Sequence, residues 1–80
     1  METPIIYTNG CASCGIMGHY VRRVQRDFPT AVVKNSRYDK QARAEHAEYL
    51  TQAGLDKDRY IPIVVEGSNV TELAKWKPSN

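Results

Sequence analysis

No stretch of this sequence holds the roughly 18 to 20 consecutive apolar residues that a membrane-spanning helix needs. The amino end, Met1-Glu2-Thr3-Pro4, lacks the charged segment followed by an apolar stretch that marks an export signal. A soluble, unexported, cytoplasmic protein without membrane contact is therefore expected. Charge of one sign is also scarce. The 11 Lys and Arg stand against 9 Asp and Glu, for a net charge of +2, and the two signs are interspersed. There is neither a polybasic stripe for nucleic acid nor an acidic tail, so no nucleic-acid partner is expected. Internal repeats, low-complexity tracts and linkers are missing too. Eighty residues with 41% apolar content suffice for one domain over 1–80 with a single thin core.

Cysteine occurs only twice, in Cys11-Ala12-Ser13-Cys14. In an unexported protein the cellular thiol pool keeps ordinary cysteines reduced, so two thiols three apart point to catalysis or metal binding rather than a structural staple. The pair lies between a β-like run, Ile5-Ile6-Tyr7, and an amphipathic helix pattern. A thiol at a helix N-terminus faces unpaired backbone N–H groups and the positive end of the helix dipole, which favours its thiolate. Thiol–disulfide exchange needs an attacking thiolate and a second thiol to release the product. With Cys11 at the exposed end and Cys14 one turn inward, Cys11 is expected to attack and Cys14 to resolve. The helix end contributes about 0.3 to 1 kcal/mol, or up to about 2 when partly buried, roughly one unit below a thiol pKa of about 8.5. A larger shift needs the N–H donors of Ser13 and Cys14, or a nearby cation.

Short alternating elements follow from the pattern. Pro4 then Ile5-Ile6-Tyr7-Thr8 reads as a strand, with Asn9-Gly10 as turn punctuation. Met17, Tyr20, Val21, Val24 and Phe28 recur at the spacing of one helix face, opposite Arg22, Arg23, Gln25 and Arg26, and Pro29 ends that helix. The β-branched run Ala31–Asn35 predicts a second strand, returned beside the first by a right-handed crossover. Asp39 is placed to cap a second helix over Lys40–Ala53, with Ala42, His46, Tyr49, Leu50 and Ala53 along one stripe and Gly54 as its stop. Tyr60–Val65 predicts a third strand, and Pro62 within it marks an end or an edge. Gly67-Ser68-Asn69 predicts a hairpin turn. The segment after it has helix-forming residues, yet a hairpin calls for a partner strand, so a short strand from about Val70 is expected. The sum is an α/β chain with a mixed four-stranded sheet and helices on its faces.

Two other readings of the cysteines remain open at this level. Cys11, Cys14 and His19 copy three ligands of a zinc knuckle, which would make the chain a zinc-binding adaptor, although the fourth ligand position falls on Val24. Alternatively the domain is non-catalytic and docks a partner on its Arg22–Arg26 face, which otherwise is a solvated surface. His19 and His46 are minor candidates for a base beside the thiol.

Tyr7-Thr8-Asn9-Gly10-Cys11-Ala12-Ser13-Cys14, the amphipathic helix behind it, Ile61-Pro62-Ile63-Val64-Val65 and the ending Trp76-Lys77-Pro78 together resemble glutaredoxins. The likeness is to the small glutaredoxin-like redoxins that donate electrons to ribonucleotide reductase, and it spans nearly the whole chain in element order. The resemblance implies a thioredoxin fold with its last helix short or absent, and a cytosolic disulfide oxidoreductase with no bound cofactor or metal. It makes Cys11 the nucleophile and Cys14 the resolving thiol. Pro62 becomes a cis-proline opposite them, the Ile61 backbone pairs with substrate, and Ser13 joins the substrate contacts. The implied partners are a disulfide-containing protein such as ribonucleotide reductase, and either glutathione or thioredoxin reductase as external electron donor. The chain departs from the family in lacking the lysine before the motif and the Gly-Gly plus Asp element that holds glutathione, which tilts the donor toward thioredoxin reductase. The family's last helix would begin near Asn80, so a thinly covered sheet face is expected, with an exposed apolar patch or a weak dimer contact on an otherwise monomeric protein.

Overall fold

A computed structural model describes residues 3–78; Met1, Glu2, Ser79 and Asn80 lie outside the described residues. The alternating sequence pattern resolves into β1 (Ile5–Thr8), α1 (Gly15–Asp27), β2 (Val32–Asn35), α2 (Lys40–Gln52), β3 (Ile63–Glu66), β4 (Asn69–Glu72) and a single 3-10 turn over Leu73–Lys75. The strands form one mixed sheet in the order β2-β1-β3-β4. β1 runs parallel to β2 and antiparallel to β3, and β3 runs antiparallel to β4. Among the described residues, no helix is long and apolar enough to cross a membrane.

Alternation along β1 splits the core in two, because successive side chains of a strand point to opposite faces. Ile6 packs with Val21 and Val24 of α1, Val64, Leu73 and Trp76. Its neighbour Tyr7 packs on the other face with Ala42 and Leu50 of α2, Ile63 and Val65. The face that the resemblance leaves thinly covered is closed by the chain after β4. Trp76 is 3% exposed, meets Phe28 edge-on, and donates its indole N–H to Glu66, while Arg23 donates to its carbonyl. The segment after the hairpin is thus strand first and 3-10 turn second, and Asn69 belongs to β4 rather than to the turn.

The two helices end differently at their N-termini. Asp39 accepts from the backbone N–H groups of Gln41 and Ala42 and so caps α2. At its far end Leu55 donates to the Leu50 carbonyl and Gly54 to that of Thr51, the paired bonds of a Schellman stop. By contrast α1 has Cys14 at its cap position with no side-chain capping bond, and no acid in its first turn. Its positive end is left unneutralised at the cysteines.

Candidate active site

Cys11 and Cys14 are bonded to each other, with Cα atoms 5.4 Å apart. Both are exposed. The expectation that Cys14 lies one turn deeper needs correction: α1 begins only at Gly15, so the whole motif is a turn that precedes the helix, and Cys14 sits at its rim. What distinguishes Cys11 is a hydroxyl. Its sulfur lies 3.5 Å from Ser13 Oγ, a group that can donate to a thiolate.

Two glycines shape this turn. Gly15 takes φ +51° at the first helical position, a left-handed conformation that costs other L-residues about 1–2 kcal/mol. Gly18 is needed for a close approach, since a Cβ there would stand 2.6 Å from the Ser13 carbonyl oxygen and 2.7 Å from its carbon. Exchanging Gly for Ala inside a helix normally gains about 0.8–1 kcal/mol, but here the backbone of the cysteine turn would have to move. Overpacking of that kind costs about 1–3 kcal/mol. Gly18→Ala should therefore lower stability in urea unfolding despite its better helix propensity; an unchanged or raised midpoint would show that the turn gives way freely. The base of the turn is held from β2. Asn35 accepts from the Gly10 N–H and donates to the Gly10 carbonyl.

An apolar groove of about 210 Å³ opens two residues beyond Cys14. Ile16, Met17 and Tyr20 form its α1 wall, and Ile61, Pro62, Leu73 and Ala74 the other. Ile16 is 70% exposed, which leaves a large apolar side chain at the mouth beside the cysteines. The structure thus brings Ile61 and Pro62 to the same groove as the start of α1. Ser13 lies instead with Ala12, Gly18 and Arg22 along a second hollow. There the Arg22 guanidinium approaches to 3.0 Å of the position a Gly18 Cβ would take, so a cation does stand near the turn.

One expectation about this wall needs correction. The Ile61–Pro62 peptide is trans, since no described peptide bond is cis; trans is the favoured form of an X–Pro bond by about 0.5–1 kcal/mol. The Ile61 carbonyl accepts from His46 Nε2 at 2.8 Å. Pro62 falls outside β3, where its missing N–H breaks no ladder, and its carbonyl takes the Leu73 N–H.

His46 is fully buried. Its Nδ1 meets Ser36 Oγ. A carbonyl can only accept, so Nε2 carries the ring proton and Nδ1 accepts from the Ser36 hydroxyl. The rings of Tyr7 and Tyr60 lie 5.5 and 5.4 Å from the imidazole, and Arg43 donates to the Ser36 carbonyl. Tyr60 itself holds φ +48°, a strained position for an aromatic residue that costs of order 1–3 kcal/mol.

Burial pushes the His46 pKa below its usual 6.5, and the Ile61 carbonyl opposes this only in part. The Glu45 carboxyl is likewise lowered, first by the Tyr7 hydroxyl that donates to it, then by Lys34. Burial, then Glu45, raises the Tyr7 phenol. As pH falls below about 6.5 the unfolded histidine protonates while the folded one does not, so stability declines until the lower folded pKa has been passed. One such proton gives a slope approaching about 1.4 kcal/mol per pH unit. Glu45 adds its own loss only below its ordinary 4.5. Urea midpoints measured between pH 7.5 and 5 should fall with acidification; a flat profile would mean that His46 is free to ionise in place.

His19 is exposed beside Tyr20. Among the described residues, no group of three His, Cys, Asp or Glu side chains is arranged to hold a metal ion. Asn35, Ser36, Gly18 and Tyr60 escaped the sequence reading. Only Gly18 carried a signal, as a glycine inside an otherwise regular helix pattern.

This arrangement defines a small α/β protein with an exposed cysteine pair at an uncapped helix start. The chain matches no protein-family model, no curated protein and no solved structure.

Proposed function

We propose that this chain is a thiol–disulfide oxidoreductase with a glutaredoxin-like thioredoxin fold. The observation that carries this is the exposed Cys11–Cys14 pair at the uncapped N-terminus of α1, beside an apolar groove walled by Ile61 and Pro62. The strand–helix–strand–helix–strand–strand order and the mixed sheet support the fold assignment.

In the reduced protein, the Cys11 thiolate attacks one sulfur of a substrate disulfide. A mixed disulfide forms, and the other substrate sulfur leaves and takes up a proton. The Cys14 thiolate then attacks the Cys11 sulfur, which closes the Cys11–Cys14 bond and releases the second substrate thiol. Two electrons pass to the substrate, and an external dithiol or two glutathione thiols restore the starting state. The Ser13 hydroxyl and the helix end stabilise the thiolate, while the Arg22 side chain supplies positive potential nearby.

The groove favours a protein over glutathione as the bound substrate. Its walls are almost wholly apolar and offer no charged side chain to a tripeptide with ionised ends, whereas an apolar residue flanking a protein cysteine would fill it. Ribonucleotide reductase is one such substrate. The test is NADPH oxidation with a protein disulfide, coupled either through glutathione and its reductase or through thioredoxin reductase. Turnover through thioredoxin reductase is expected to exceed that through glutathione, and inactivity in both would refute the reading.

A further inference from the structure

We infer that His46 is a positioning residue for the substrate: by donating to the Ile61 carbonyl it fixes the Ile61–Pro62 wall of the groove against which a protein disulfide docks. The inference rests on the oxidoreductase reading of Cys11 and Cys14.

His46 joins segments that are separated in sequence, the end of β2 and the Ile61–Pro62 peptide, at this site. Ser36 donates its backbone N–H to the Thr8 carbonyl, at the end of the strand leading into the cysteine turn. The Ser36 hydroxyl meets His46 Nδ1, and His46 Nε2–H reaches the carbonyl of the very peptide that links Ile61 to Pro62. Asn35, the preceding residue, grips Gly10 on the other side. The end of β2 therefore anchors both the cysteine turn and the opposite groove wall.

The wall would not hold this conformation unaided. Tyr60, immediately before it, sits at positive φ without being a glycine, and such residues persist only where their surroundings over-determine them. His46 supplies that constraint twice, through the Ile61 carbonyl and through edge-on contact with the Tyr60 ring. A core histidine that merely fills space would not need its Nε2–H bond to fall on this peptide. Because a carbonyl has two lone pairs, the Ile61 oxygen also keeps one for substrate while His46 sets its direction.

The role separates docking from sulfur chemistry, so the test compares two disulfides. Wild type, His46→Phe and His46→Gln are assayed for insulin reduction driven by dithiothreitol, and, as reduced proteins, for direct reaction with dithionitrobenzoate, which needs no groove. His46→Phe keeps an aromatic ring but removes both bonds. It should raise KM for insulin by about tenfold, the upper effect of one lost hydrogen bond, with kcat and the small-disulfide rate within about twofold. His46→Gln, whose amide can donate to the same carbonyl, should recover part of the loss. Should His46→Phe fail to fold, Ser36→Ala carries the test: it leaves the imidazole but frees its second anchor, and should raise KM for insulin severalfold at an unchanged small-disulfide rate. Equal loss with both disulfides, or no change in KM, overturns the positioning role while leaving the oxidoreductase reading intact. Wild-type protein inert toward both disulfides would sink that reading, and this inference with it.

Discussion

Cys11→Ser should reduce disulfide exchange to the uncatalysed background, while Cys14→Ser should retain the first half of the reaction and accumulate mixed disulfides. The asymmetry follows from the two chemical roles. A serine hydroxyl at position 11 offers no thiolate near neutral pH, so no bond to substrate sulfur forms. With Cys14 replaced, attack still proceeds but nothing nearby displaces the product. Both cysteines are exposed residues, so depth in the structure does not choose between them. The Ser13 hydroxyl beside Cys11 does. Non-reducing electrophoresis and intact mass after exposure to insulin would show the adduct on Cys14→Ser alone; an adduct on Cys11→Ser alone would reverse the assignment of attacker and resolver.

Trp76→Ala should destabilise the protein by about 3–5 kcal/mol, the range for truncating a buried tryptophan to alanine. Small domains have only about 5–15 kcal/mol in total, so a large part of the chain would be unfolded at moderate temperature. Trp76 completes the core on the α1 face of the sheet, and it does so with Leu73, Val21, Val24 and Ile6. Its indole N–H bond to Glu66 is the smaller part. Trp76→Phe keeps a ring and loses that bond, at about 1 kcal/mol beyond the change in shape. Thermal and urea unfolding of both variants would rank them; a loss under about 1 kcal/mol for Trp76→Ala would mean that the end of the chain adds little to the core.

Local chemistry was legible in the sequence, and long-range hydrogen bonding was not. β1 carried its own β-branched signal, and the Asp39 cap was readable because its acceptor and donors lie within three residues. The burial of Ala42, His46 and Leu50 followed from helical spacing. The partners of His46, however, lie 10 and 15 residues away, and the Gly10 that Asn35 grips lies 25 away, where periodicity carries no information. The pattern predicts a strand over Tyr60–Val65 with Pro62 as an end or an edge within it; the strand begins only at Ile63, so the proline lies just before it, where its missing N–H is a local fact. The isomer of its peptide bond depends on tertiary contacts, and the inference from resemblance failed there. The depth of Cys14 failed for a related reason. One turn inward presumes that the helix has begun, whereas the left-handed Gly15 delays it.

The most direct measurement is the pH dependence of alkylation of the reduced protein, with the Cys11 adduct followed by peptide mass. A midpoint at least about one unit below the ordinary thiol value of about 8.5, with reversible closure of the Cys11–Cys14 bond in glutathione buffers, is the expected result. A Cys11 midpoint at or above that ordinary value, in a protein whose cysteines do not interconvert between dithiol and disulfide, would contradict the catalytic assignment.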